Sequence, residues 1–143
     1  MKTLSIYQKV KTVAVFMTIF FTLNSTNLNA AQQIVPTDTL TIKQKTENVI
    51  KAFERDDFDA IVVYFDETMK AAMPSNNLRM TWAQLSAAVG KFQKADLDNL
   101  REARVEKYDM IVVPFSFERG NLIFRLVFNE DRTIGGMQFL PAN

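Results

Sequence analysis

Acid–base chemistry in this chain rests on carboxylates, phenols and amines alone, because the sequence contains no histidine and no cysteine. That absence excludes Ser-His-Asp and Cys-His catalysis, histidine general bases and imidazole metal sites together. Four glycines form neither a Walker loop nor a GxGxxG cradle for phosphates, so no cofactor is expected. The remaining groups that lie close together are Tyr64, Asp66 and Glu67, with Tyr108 and Asp109 further along. A carboxylate among them could act as a base. Asp66 nevertheless reads first as a helix cap and Asp109 as a hairpin residue, the commoner uses of aspartate. No catalytic residue and no metal ligand is assigned.

Binding asks for less: a hollow lined by apolar groups and a polar handle or two. Trp82 is the foremost candidate for a pocket wall, although the same helical spacing also suits plain core packing. Tyr64 lies off the main stripe of its helix and faces either a pocket or solvent. Met69 and Met73 flank the loop at Pro74, where flexible thioethers adapt to irregular ligands as readily as they fill gaps. Phe115 and Phe124 belong first to a sheet core and touch a ligand only at its mouth.

These side chains need elements to hold them. Ile42, Val49, Ile50 and Phe53 share one face of a helix capped at Asp38 or Thr39 and ending near Glu54. Phe58, Ile61, Val62, Phe65 and Met69 form a second stripe behind Asp56 and Asp57, interrupted or re-capped at Asp66-Glu67-Thr68. Leu78, Trp82, Leu85 and Val89 mark a third helix, capped by Asn77 and closed by Gly90. The period then changes to two. Ile111, Val113, Phe115 and Phe117 alternate with Met110, Val112, Pro114 and Ser116, and two further strands follow around residues 122–128 and 134–140. A fourth strand is expected from about Arg101. Pro114 cannot donate to a ladder and marks an edge or a bulge, and Gly135-Gly136 permits another sharp curve. The fold class expected is α+β: three N-terminal helices in the concave face of a curved antiparallel sheet of about four strands.

The amino terminus reads as an export signal. Lys2, Lys9 and Lys11 precede an apolar-plus-threonine run from Thr12 to Leu23, and small polar residues lead to Ala30 and Ala31. That run is short of the ~20 residues a membrane-spanning helix needs. Residues 1–31 are expected as a signal peptide, 32–38 as a linker and 39–143 as a single α+β domain. Without the leader, the 17 basic and 16 acidic residues of the chain become 14 against 16, a net of −2. The remaining basic residues are scattered, so no nucleic-acid partner is expected. A cysteine-free exported domain has no disulfides or lipid-bearing cysteine and depends on its core.

Several short runs, in their order along the chain, carry a resemblance. They are Asp57-Phe58-Asp59-Ala60, Phe65-Asp66-Glu67-Thr68-Met69-Lys70, Met73-Pro74, Trp82, Gly90-Lys91-Phe92 and the closing meander. Together they resemble the bacterial domain-of-unknown-function family 3887, over roughly Thr39 to Leu140. That family looks like a branch of the nuclear transport factor 2-like superfamily, which includes ketosteroid isomerase and polyketide cyclases. The resemblance implies a cone-shaped fold enclosing a pocket, and little about activity, because the superfamily hosts enzymes and binding modules alike.

The expectation is therefore a secreted or periplasmic, non-enzymatic binding or accessory module for a small apolar or amphipathic ligand, with no stable membrane anchor. One alternative is a histidine-free isomerase or lyase using a carboxylate base in an apolar pocket, as the superfamily's enzymes do. The other is a protein-interaction domain, pairing as a homodimer through a sheet face that carries Met110, Val112, Ile123 and Val127.

Overall fold

The computed structural model describes residues 40–142. The expected signal peptide and linker lie outside the described residues. No helix among the described residues is long and apolar enough to cross a membrane.

Helix α1 (Ile42–Glu54) starts at Thr41, whose hydroxyl accepts from the Gln44 amide while Gln44 Oε1 accepts from the Thr41 amide. This reciprocal pair satisfies two free amides at once, a stronger start signal than a lone Asp38 or Thr39. The next apolar stripe is two helices rather than one, α2 (Phe58–Val62) and α3 (Glu67–Ala72). The break has a physical cause. Phe65 forms a parallel bridge with Ile134, the Ile134 amide donates to Tyr64 O at 2.8 Å, and the Asp66 amide donates to Ile134 O at 2.9 Å. Backbone that pairs with the sheet cannot continue a helix, and Asp66 restarts one by accepting from the Met69 amide at 2.6 Å. Helix α4 (Ser75–Val89) begins ahead of the expected Asn77 cap. Pro74 supplies the start, with its φ at −63° and its carbonyl accepting from the Leu78 amide at 3.0 Å.

The sheet has five antiparallel strands, one more than expected: β1 (Phe92–Ala95), β2 (Arg101–Val105), β3 (Tyr108–Phe117), β4 (Gly120–Phe128) and β5 (Ile134–Pro141). It is open, in the order β1-β3-β4-β5, with β2 also pairing β3 on the side that β1 uses. The added strand is β1, a four-residue element too short to show alternation. β2 begins at the expected Arg101.

Pro114 is on an interior strand, not an edge. β1 covers β3 at Phe115–Phe117 and β2 covers it at Tyr108–Val112, so Pro114 falls in the gap between the two covering strands. Its carbonyl accepts there from the Asp96 amide at 2.8 Å. N and O of one strand residue point to the same side, so the missing proline donor also faces the gap, where no ladder bond is lost. At the other end, Gly135 is the extra residue of a bulge between Val127↔Gly136 and Phe128↔Ile134. A Cβ there would lie 2.8 Å from Asn129 Oδ1.

The helices cover one sheet face. Val49, Phe53, Ile61, Met69, Leu78 and Leu85 pack against the alternate residues of β3, β4 and β5 in a single apolar core. Each buried phenylalanine in it contributes about 1.5–3 kcal/mol of burial free energy, which is how the cysteine-free domain holds together. Lys45 is buried in α1 and donates from Nζ to Arg132 O at 2.6 Å, tying α1 to the β4–β5 turn. Asn129 ties the same turn to α3 by donating to Asp66 Oδ2 at 2.8 Å.

Candidate functional site

Two chain segments meet over the end of the aromatic core and leave a cleft of about 630 Å³. The first segment is the end of α1, the α1–α2 turn and the start of α2. It brings Phe53, Glu54, Asp56 and Phe58. Asp56 has φ 54°, a left-handed conformation that reverses the chain, and its amide donates to Phe53 O at 3.2 Å. Asp57 then caps α2 by accepting from the Ala60 amide.

The second segment is one face of α4 and the entry to β1. Arg79, Trp82, Ala83 and Ser86 recur at spacings of three, four and seven, so a single helical face carries them to the cleft. Gly90, with φ 87° and ψ −177°, turns the chain so that Lys91 and Phe92 close the same wall. That corner is pinned from both sides: Glu118 Oε2 accepts from the Lys91 amide, and the Arg119 amide donates to Val89 O at 2.8 Å.

The floor is aromatic. Trp82, the chain's one tryptophan, has its ring centroid 4.4 Å from that of Phe53 and 5.7 Å from that of Phe92. Behind it stand Phe117 and Phe139, each at 5.8 Å. Trp82 is 7% exposed, so it belongs to the core and to the cleft wall together. The rim is charged, with acids on the first segment (Glu54, Asp56) and bases on the second (Arg79, Lys91). Among the described residues the ion pairs are Glu67–Lys70 and Asp109–Arg104, so none of the four rim charges is paired with another. The Arg79 guanidinium instead lies 5.6 Å from the Phe58 ring centre.

Of the residues the sequence put forward, Trp82 lines this cleft. Met69, Met73, Phe115 and Phe124 are buried in the core. Tyr64 is half-buried, its hydroxyl accepting from Asn48 Nδ2 at 3.1 Å, with the Lys45 ammonium 6.0 Å from its ring centre. Asp66 is the α3 cap and Asp109 pairs with Arg104 across the β2–β3 ladder, both structural uses. The Asp96 carboxyl is held below the usual aspartate value, first by the hydrogen bond from the Asn99 side chain. It caps the short 3-10 turn Leu97–Asn99 between β1 and β2, away from the cleft. The sequence reading left out Phe53, Phe58 and Phe92 as cleft aromatics and the four rim charges. Of these only Arg79 had a signal in the sequence, its place on the face Arg79-Trp82-Ala83-Ser86 of α4, which continues the Trp82 side past the apolar stripe.

Fold and site together define a small α+β domain with a charge-rimmed aromatic cleft. Residues 46–137 match the model of the family described as a protein of unknown function (DUF3887), and the chain belongs to that family. A comparison with curated proteins finds no match.

Proposed function

We propose that this protein is a non-enzymatic binding module that holds a small amphipathic molecule in the cleft over Trp82. The observation that carries this reading is the cleft itself. Its ~630 Å³ falls in the usual range of small-molecule sites, its floor is aromatic and its charged side chains are exposed. A binding role asks for no positioned titratable group, and the carboxylates with structural partners, Asp66 and Asp109, are occupied as cap and ion pair. The proposal extends to export, supported by the lysine-flanked apolar run before Ala31. It extends also to the nuclear transport factor 2-like superfamily, supported by the order of helices first and antiparallel sheet second.

The test uses the neutral fluorophore N-phenyl-1-naphthylamine, which accepts energy from tryptophan. Saturable transfer from Trp82 is expected, and Ala83→Phe, which sets a ring into the cleft from an exposed helical position, should weaken binding at least roughly tenfold through lost apolar contact. Circular dichroism checks that the variant folds. Absence of transfer in the parent protein, or equal binding by the folded variant, overturns the reading.

A second reading, pairing of two copies through the outer sheet face, is favoured by the apolar residues Met110, Val112, Ile123 and Val127, which stand half-buried on that face. Arg125 sits among them, its terminal nitrogen donating to Gln138 on the neighbouring strand.

A further inference from the structure

We infer that the ligand of this cleft is zwitterionic: an apolar molecule, of the short-peptide class, bearing an ammonium group at one end and a carboxylate at the other. The inference rests on the binding reading above and adds the ligand's charge pattern. Acidic rim groups come from the segment Phe53 to Phe58 and basic ones from the segment Arg79 to Phe92. Opposite charges sharing one rim have not closed on each other, although the chain forms such pairs elsewhere, at 2.8 Å for Glu67–Lys70 and 3.3 Å for Asp109–Arg104.

Each simpler ligand class leaves part of this rim unserved. A purely apolar molecule covers Trp82 and Phe92 but takes water from four charged neighbours and offers nothing in return. An anionic amphiphile satisfies Arg79 and Lys91 while meeting Glu54 and Asp56 with like charge, and a cationic one does the reverse. A molecule with both charges, separated by an apolar body, meets every wall with its complement. The planar fork of Arg79 suits a carboxylate in particular. An ammonium group, with three donors, suits the carboxylates of Glu54 and Asp56. Separation matters because acids and bases arise on different segments, so a molecule whose two charges share one carbon spans the rim less well than a peptide.

The experiment titrates the full chain with the tripeptide Leu-Ala-Leu and reads Trp82 emission, which the peptide itself does not contribute to. The same peptide is tested N-acetylated, C-amidated and blocked at both ends, and free leucine is tested beside them. The unblocked peptide is expected to bind roughly tenfold more tightly than either singly blocked form, the factor of a hydrogen bond to a charged group. Arg79→Gln should erase discrimination against the amide alone. The double variant Glu54→Gln with Asp56→Asn should erase discrimination against the acetylated form alone. Weaker binding by leucine supports the peptide class, and binding by leucine equal to that of the tripeptide overturns it. Equal binding of the doubly blocked and unblocked peptides overturns the zwitterion inference, as does no response to any peptide in a protein that still takes up the neutral naphthylamine. Failure of the naphthylamine as well removes the binding reading itself.

Discussion

Gly90 shows most directly how a single residue holds the candidate site. Its φ of 87° lies where side chains are rarely tolerated, and an added Cβ would meet Glu118 Cβ at 2.6 Å. Gly90→Ala is therefore expected to destabilise the domain by about 1–3 kcal/mol. A lower urea midpoint at unchanged slope is the signature, and an unchanged midpoint contradicts the account of this corner. Probe binding should weaken too, because the same corner places Lys91 and Phe92. At this scale the sequence was partly legible. Trp82 was readable as a wall because helical spacing puts it on a buried stripe. Phe53 and Phe58 were readable only as core, since nothing local distinguishes a phenylalanine at the end of a core from one at its centre. Phe92 sits in a strand too short to show a period. Tyr64 lay off its stripe, and what it meets there is Asn48 on α1, a partner sixteen residues away that no spacing rule supplies.

Element boundaries follow from backbone hydrogen bonds, and those made locally were the ones legible in advance. The stripes of α1 and α4 and the alternation of β3 and β4 are local patterns and stand where the periods put them. The division of α2 from α3 depends on Ile134, far along the chain, which the sequence showed only as an interruption at Asp66. Pro114 could be read as a missing donor, but not as one hidden between two strands that share a single side of β3. The outer sheet face raises a question that belongs to this scale. Met110, Val112, Ile123 and Val127 are half-buried there around Arg125. If two copies pair through this face, sedimentation velocity at micromolar concentration should show a dimer that Val112→Glu, which puts a carboxylate among these apolar groups, converts to monomer. A parent protein that sediments as monomer alone contradicts pairing.

Across the described residues, one open sheet and four α-helices bury a continuous aromatic core and leave Phe92, at its end, half-buried beside the cleft. The two segments that flank this end place opposite charges around it. That arrangement costs some stability, since Phe92 forgoes part of the burial it would have in a closed core, and a filled cleft recovers it. The most direct test is native mass spectrometry of the protein purified under gentle conditions from its own host, in parallel with Ala83→Phe. The account predicts a reproducible added mass of a few hundred daltons on the parent chain, the size a cleft of this volume admits, lost in the variant. Bare polypeptide mass in both, or the same adduct on both, would contradict it.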